Sequence, residues 1–260
     1  MVASDCTVVR GGRVLDPARS SCAPADLLIR DGRIECLGPP GMPAPAHAAT
    51  VQADDRLIIP GLVNAHTHGH GSLSKGVGVG ADGAQCADNQ NMFEAMRFAA
   101  YLSRVRDHDP ERWLSSRDVL RMATAGGARV LGFGDAIGRI APGALADLVF
   151  LDLGHLNWIP VNDPVNQLVN TEDGSAVDGV MVGGRTVLWN GRFTSGNLEQ
   201  VRRQVEQAVE HMRTLNHDLR ALAERLEPLV SRFCVGLASG PYHVHAMASA
   251  GEAPGQNMSI

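Results

Sequence analysis

The sequence has little of three features: long apolar runs, the pattern expected of a secretory leader, and closely paired cysteines. No apolar stretch reaches the roughly 20 residues that a membrane-spanning helix needs. The start, "MVASDCTVVRGG", has no basic segment followed by an apolar one, which a secretory signal would show. The five cysteines form no CxxC pair and are odd in number, which favours free thiols in a reducing compartment. We therefore expect a cytoplasmic protein.

Positive charge is also scarce. The chain has 23 Lys and Arg against 28 Asp and Glu, which gives a formal net charge of −5. That balance argues against nucleic acid and against an anionic membrane as partners. With 44% apolar and 20% charged residues in a length of 260, the composition is that of a globular protein with a sizeable core.

Short β-rich runs lie at both ends of the first 195 residues. "CTVVRGGRVLD", "ADLLIRDGRIECLG" and "DGVMVGGRTVLWNGRF" each carry a tight-turn signal between apolar segments, which predicts three hairpins. The turns are Gly11-Gly12, Asp31-Gly32 and Gly183-Gly184. Two further runs, "LIIPGLVNA" and Ala146 to Leu153, are apolar on both faces and predict buried strands. We expect the two ends to share one β-domain.

Three segments have helical periodicity. "NQNMFEAMRFAAYLSRV" predicts a helix capped by Asp88, Asn89 or Asn91, although a substrate contact is an alternative for these three residues. A second helix should begin at Ser115 or Ser116, with Gly126-Gly127 as a weak point or an end.

A long helix is predicted from Leu198 to Leu226. Its apolar residues recur at spacings of three and four with Arg and Glu between them. Packing on the body or on another subunit is the simplest interpretation, and a groove for a peptide is the alternative. The segment after Ala246 is small and polar and is expected to fray.

Histidines stand at alternate positions in "NAHTHGHG", at His66, His68 and His70. Alternate residues of a strand point to the same side, so His66 and His68 at a strand's end can face one metal ion. Neutral imidazole is a good zinc ligand. Asp82, in "VGVGADGA", offers a carboxylate that can complete an open site and accept a proton from metal-bound water. His70 lies past the expected strand end and is a loop residue or a further contact to metal or substrate.

The order of these motifs resembles the amidohydrolase superfamily, in the branch of cytosine, guanine and adenosyl-homocysteine deaminases and aminotriazine hydrolases. "LIIPGLVNAHTHGHGSLSKG" is similar to the first strand of that family's (β/α)₈ barrel, and "VGVGADGAQCADNQNMFEAMRFAAYL" to its eighth strand and following helix. "GRIAPGALADLVFLDL" and "VDGVMVGGRTVLWNGRF" resemble the return into a small β-domain, whose first half "TVVRGGRVLD…ADLLIRDGRIECLG" matches.

The resemblance implies both a site and an activity. It makes His66, His68 and Asp82 ligands of one Zn²⁺ or Fe²⁺ per chain, with Asp82 also moving protons. It implies a metal-dependent hydrolase of non-peptide C–N bonds that deaminates a small heterocyclic amine through attack of metal-bound hydroxide. The family also uses a fifth-strand His, a sixth-strand His and a proton-donating Glu, and no segment here matches those strands.

The spacing of the two barrel motifs departs from the family. Only thirteen residues separate His68 from Asp82, whereas a (β/α)₈ barrel takes ~250 residues. Parallel neighbours need a crossover of about a dozen residues or more, usually a helix, and "GHGSLSKG" is too short and too rich in glycine for one. We expect an internal deletion with its junction near Lys75 to Val77. A parallel pairing that aims all three ligands at one ion is then hard to form, and an antiparallel hairpin is the alternative.

Other candidate ligands have weaker support. His243 and His245 in "YHVHAM" repeat the alternate spacing, but a polar tail is the simpler interpretation. Cys86 either lines the site or is a buried structural thiol. His211 and His217 fall on the long helix and are expected to face solvent.

The predicted architecture is α/β, a remnant of a metal-dependent hydrolase barrel. It combines a discontinuous β-domain (1–58 and 141–195), a truncated barrel segment (59–140), a C-terminal helical segment (196–246) and a disordered tail (247–260). The alternative to an enzyme is a catalytically inactive remnant that binds or oligomerises. Because the first and eighth strands lack their partners, apolar surface should be exposed, which predicts a homo-oligomer.

Overall fold

The computed structural model describes residues 5–17, 21–66, 78–81, 89–106 and 108–238. The chain divides into two compact units, residues 1–195 and 196–260. The first unit contains all eleven strands of the described residues, and the second contains two helices.

The strands of the first unit fall before residue 61 and after residue 147. They are β1 Cys6–Arg10, β2 Arg13–Asp16, β3 Ser21–Pro24, β4 Asp26–Arg30, β5 Arg33–Gly38, β6 Ala49–Gln52, β7 Arg56–Pro60, β8 Leu148–Asp152, β9 Val177–Val182, β10 Arg185–Trp189 and β11 Arg192–Phe193.

These strands build two sheets. One has four strands in the order β5-β4-β1-β6, and the other has seven in the order β11-β10-β9-β8-β7-β2-β3. β1 pairs with β6 and β2 with β7 in parallel, and every other pairing is antiparallel. The antiparallel β7–β8 pair, from Arg56↔Asp152 to Pro60↔Leu148, joins the early and late parts of the chain in one sheet.

The predicted buried strand "LIIPGLVNA" is wrong beyond Pro60. The strand ends there, and residues 61–66 have no strand conformation. The strand predicted over Ala146 to Leu153 is confirmed as β8.

Two of the three predicted hairpins form. Asp31 and Gly32 turn between β4 and β5, and Gly183 and Gly184 turn between β9 and β10, all with positive φ. That left-handed conformation is the one that two-residue hairpin turns require.

The hairpin predicted at Gly11-Gly12 is wrong. These residues lead the chain from β1 in one sheet to β2 in the other, and the two strands do not pair. A Cβ on Gly12 would lie 2.5 Å from Ile58 Cδ1, so glycine lets the chain pass close to β7. The same pair of glycines therefore marks a crossing between sheets, because close approach needs glycine as much as a tight turn does.

The described residues of the first unit also form four α-helical segments, and the helix capped by Asn91 and the start near Ser115 are confirmed. They are α1 Met92–Arg106, α2 Ser116–Arg121, α3 Gly127–Val130 and α4 Pro164–Asn170. Asn91 Oδ1 accepts hydrogen bonds from the backbone N–H groups of Phe93 (2.9 Å) and Glu94 (3.3 Å), which caps α1. Between α2 and α3 the helix does not stop at Gly126-Gly127 but widens into a π turn, Met122–Gly126.

The seven-stranded sheet is the middle of three layers. Leu57 and Ile59 on one face of β7 lie in a buried cluster with α1 residues such as Met96. Ile58 on the other face lies in a second cluster with Val9 of the four-stranded sheet. Alternate residues of a strand point to opposite faces, so a continuous apolar run such as that of β7 serves both clusters.

A capping box begins α2. Ser115 Oγ accepts from Asp118 N–H at 3.2 Å, and Asp118 Oδ2 accepts from Ser115 N–H at 3.1 Å and from Ser115 Oγ at 2.6 Å. The hydrogen bond from the Ser115 hydroxyl, more than the Arg121 guanidinium, lowers the pKa of Asp118 below its ordinary value of 3.8.

Replacing Ser115 with alanine should raise the pKa of Asp118 and cost about 1 kcal/mol of stability at neutral pH. The folded-state pKa is the lowered one, so this stabilisation is present above the unfolded-state value and is lost as pH falls through the folded one. NMR titration of the Asp118 carboxyl carbon measures the shift. Ser115→Thr, which keeps the hydroxyl, should retain the low pKa, and an unchanged value in Ser115→Ala would contradict the assignment.

The second unit contains α5 Leu198–Leu215 and α6 His217–Ala238. The single helix predicted from Leu198 to Leu226 is therefore wrong in two ways, since a break falls at Asn216 and the helical part extends to Ala238. Asn216 has φ −98° and ψ 12°, which is outside the helical range and interrupts the regular backbone. His211 and His217 are exposed, as predicted.

Among the described residues, no helix is both long enough and apolar enough to cross a membrane. No disulfide joins the four cysteines that the structure describes, Cys6, Cys22, Cys36 and Cys234.

Candidate functional site

The segment that follows β7 runs over the π turn. Val63 N–H donates to Ala123 O at 2.8 Å, and Gly61 N–H donates to Asp147 O at 2.8 Å. A Cβ on Gly127 would lie 2.8 Å from Val63 O, so the helix approaches the segment closely where the turn widens. These contacts fix residues 61–65 on the helical layer and carry the chain to His66.

The two segments that carry the predicted ligands lie side by side. Ala65 N–H donates to Val79 O at 3.2 Å, and Val79 N–H donates in turn to Met122 O at 3.4 Å. A Cβ on Gly80 would lie 2.3 Å from His66 N, which shows how closely the backbones approach. Neither segment is a strand in the described residues, so the contact is local and is not a ladder.

Asn64 joins the two segments. Its Nδ2 donates to Ala81 O at 2.7 Å, and its Oδ1 accepts from Ala81 N–H and from His66 N–H, both at 3.1 Å. One side chain therefore binds the residue before Asp82 and orients the backbone at His66. Ala81, which Asn64 binds at both backbone atoms, is the last described residue before Asp82 in the sequence.

Asn64 is not among the residues predicted from the sequence. Its position, two residues before His66 at the end of an apolar run, was the feature that could have indicated its role. An Asn side chain there can bond to backbone two residues on, as in an Asx turn.

Of the three predicted metal ligands, the structure describes His66, which is exposed. His68 and Asp82 lie outside the described residues, as do His70, Cys86, Asp88, His243, His245 and the expected junction at Lys75 to Val77. Within the residues described, no group of three or more His, Cys, Asp or Glu is arranged to hold a metal. The metal site therefore stays a prediction.

Two apolar cavities flank the bridge. One of about 630 Å³ is lined by Val63, Asn64, Met92, Phe93, Val149 and Met181, among others. The other, of about 440 Å³, is lined by Val79, Gly80, Ala81, Glu94, Phe98 and Leu102, among others. Largely apolar walls with a few polar groups suit a small ring compound.

The wall formed by α1 has an exposed apolar side. Met96 and Ala100 are buried, whereas Phe98, Leu102 and Val105 are 55–62% exposed. α1 is therefore apolar on more than one face, and one of these faces is exposed.

Comparison with known proteins places these features in a family context. The Amidohydrolase family profile matches residues 72–187. The chain is 37% identical over 136 residues to the 5-methylthioadenosine/S-adenosylhomocysteine deaminase of Acetivibrio thermocellus, which covers 52% of this chain and 31% of that protein. The chain thus spans about a third of the length of the curated relatives that it matches.

Two solved structures are also similar to this chain. An adenosine deaminase from Xanthomonas campestris with bound zinc is 33% identical, with a TM-score of 0.51 over 54% of this chain and 32% of that chain. A triazine hydrolase from Arthrobacter aurescens gives a TM-score of 0.67 at 14% identity, over 78% of this chain and 99% of that chain. At that identity the second match shows the fold alone. It covers almost the whole of the triazine hydrolase chain.

Proposed function

We propose that the chain is a metal-dependent hydrolase of non-peptide C–N bonds, because it is similar to the amidohydrolase family and to its deaminase members. Its substrate would be a small heterocyclic amine, from which it releases ammonia. The observation that carries the proposal is the Asn64 bridge, which brings His66 beside the residue that precedes Asp82. Relatives named as deaminases of adenosine derivatives favour an adenine ring.

The donor set fits a divalent metal. His66, His68 and Asp82 would hold it, and two imidazoles with one carboxylate are ligands that zinc accepts. The described member, His66, is exposed and is oriented through its backbone by Asn64. The zinc in the related adenosine deaminase favours Zn²⁺ over Fe²⁺. The three donors of one chain would hold one ion. When bound, such an ion lowers the pKa of water toward 7 and polarises the group under attack.

The chain's own residues would divide the remaining work. Asn64 fixes the backbone on both sides of the site, and a carboxylate oxygen of Asp82 accepts a proton from water. The apolar wall that includes Phe98 and Leu102 would contact the ring. We also propose that the exposed apolar side of α1 promotes homo-oligomerisation, as uncovered apolar patches do.

The second candidate function is that of an inactive remnant, and the spacing of the two ligand motifs supports it. Thirteen residues separate His68 from Asp82, and the chain covers 31% of a deaminase relative, so the residues that this family takes from its middle strands have no counterpart. A remnant of this kind would keep the sheets and lose turnover.

We also propose that the chain divides into a β-domain (1–58, 141–195), a barrel segment (59–140) and a helical segment (196–246).

Replacing His66 with alanine should abolish stoichiometric metal binding. The purified full chain, dialysed against zinc-free buffer, should retain close to one zinc per chain by elemental analysis. Loss of a direct ligand should weaken zinc binding by at least about 100-fold, since even outer partners of ligands contribute 10–100-fold.

His47→Ala is the matched control, because His47 is exposed and distant in sequence from the motif. Equal zinc in both variants would contradict His66 as a ligand. Ammonia release from adenosine, 5-methylthioadenosine and S-adenosylhomocysteine then separates the two candidates. Zinc with turnover supports the hydrolase, and zinc without turnover of any heterocyclic amine supports the remnant.

A further inference from the structure

Apolar side chains recur at alternating spacings of three and four residues throughout α5 and α6. This is the heptad pattern of the a and d positions of a coiled coil. The heptad face consists of Leu198, Val201, Val205, Ala208, Met212, Leu215, Leu219, Leu222, Leu226, Leu229 and Phe233. The alternation continues without a skip from the first member to the last, so five heptads share one register.

The break between α5 and α6 does not interrupt that register. Asn216 N–H donates to Met212 O at 3.0 Å, and Asn216 O accepts from Arg220 N–H at 2.9 Å, so helical hydrogen bonds continue across the break. Leu215 and Leu219, on either side, keep the four-residue spacing. Pro228 falls at an outward position and leaves the apolar spacing intact.

The heptad face is exposed. Its members larger than alanine are between 45% and 67% exposed, and α5 has no buried residue. A helix whose apolar stripe stays in water gains little stability by itself, because helices in proteins are stabilised chiefly by packing of that stripe.

The opposite face pairs its charges within the helix. Glu199 accepts from Arg202 at 2.8 Å and lies 3.4 Å from Arg203, and Arg213 lies 3.5 Å from Glu210. Over Leu198–Ala238 six Arg balance six Asp and Glu, and there is no Lys. A helix that binds anionic lipid is instead rich in Lys and Arg on its polar face. Zero net charge also means that two such helices do not repel each other.

We propose that the heptad face pairs with the heptad face of a second copy of this chain in a coiled coil. Knobs-into-holes packing requires a partner with the same 3.5-residue repeat, and another copy supplies it over the full length. From Leu198 to Phe233 the seam is about 54 Å long at 1.5 Å per residue. If each member buries about 60 Å² of apolar surface, the two helices bury on the order of 1,300 Å² in total, which is the size of a stable interface.

The test is the mass of the full chain in solution. Sedimentation equilibrium at ~10 μM should give a multiple of the chain mass. The double variant Leu215→Lys with Leu222→Lys places charge in the seam of both copies and should raise the dissociation constant at least about 100-fold, because four apolar contacts are lost at once. The double variant Thr214→Lys with Ala221→Lys is the matched control, with the same added charge one residue earlier on the outward side.

Self-pairing through this face is supported if the wild type and the control associate and the seam variant has a lower mass. A monomeric wild type would overturn the proposal, and so would a seam variant that associates as the wild type does. A wild type that stays monomeric and sediments with neutral or anionic lipid vesicles would assign the face to lipid and would also overturn it. Far-UV circular dichroism at the same concentration records whether helix content falls with the mass, as coupled folding and pairing require.

Discussion

Replacing Glu172 with alanine should lower the free energy of unfolding by about 3–5 kcal/mol, because three donors would lose their shared acceptor at about 1–3 kcal/mol each. Glu172 is fully buried. Its Oε2 accepts from Trp158 Nε1 at 2.8 Å, and its Oε1 accepts from the N–H groups of Gly174 at 2.7 Å and Ala176 at 3.2 Å. Alanine would leave three donors without an acceptor beside an empty space. Guanidinium titration followed by tryptophan fluorescence measures the change.

The fluorescence reports on the correct unit, since all three tryptophans lie in residues 1–195. Trp158→Phe removes one donor and keeps a large apolar ring, so its loss should be smaller than that of Glu172→Ala. Glu111→Ala removes an exposed carboxylate and is the control. A loss in Glu172→Ala no larger than in Glu111→Ala would show that the carboxylate does not stabilise the fold.

Replacing Asp26 with alanine should cost about 3 kcal/mol, because it leaves part-buried donors without their shared acceptor. Asp26 is 1% exposed, and its Oδ2 accepts from Arg10 Nη1 at 2.6 Å and from Gly41 N–H at 2.8 Å. Its Oδ1 accepts from Gly11 N–H at 3.3 Å, at the crossing between the two sheets. The same denaturant titration measures the loss.

An exposed pair of similar length is the matched control. Arg30 and Glu35 approach to 2.5 Å, but both side chains are 43% exposed. Solvent screens such a pair, so Glu35→Ala should leave stability unchanged within error. Equal losses in Asp26→Ala and Glu35→Ala would mean that distance, and not burial, decides the strength of these pairs.

Turns and helix caps could be predicted from the sequence where the residues present permit only one local conformation. Asp31-Gly32 and Gly183-Gly184 adopt the positive φ that two-residue turns need, and Asn91 caps α1 as its side chain allows. Gly11-Gly12 shows the limit. Glycine permits both a turn and a close crossing, and the choice depends on Ile58, which is far away in sequence.

The break at Asn216 could not be predicted from apolar spacing, which runs through it unchanged. Motif order names His66, His68 and Asp82 as candidate ligands, and that assignment stays a prediction because the structure describes only His66 of the three. The role of Asn64 could not be predicted, because it depends on the approach of residues 78–81, a contact between segments that no periodicity reveals.

The β7–β8 pair has a consequence for how this body tolerates change. Pro60 and Leu148 are opposite each other on adjacent antiparallel strands, so their Cα atoms are about 5 Å apart. A segment whose two ends lie that close together can be inserted between the two strands without separating them. Domains with neighbouring termini are inserted into other proteins in this way. The segment between β7 and β8 can therefore differ in length or be exchanged while the two strands keep their pairing.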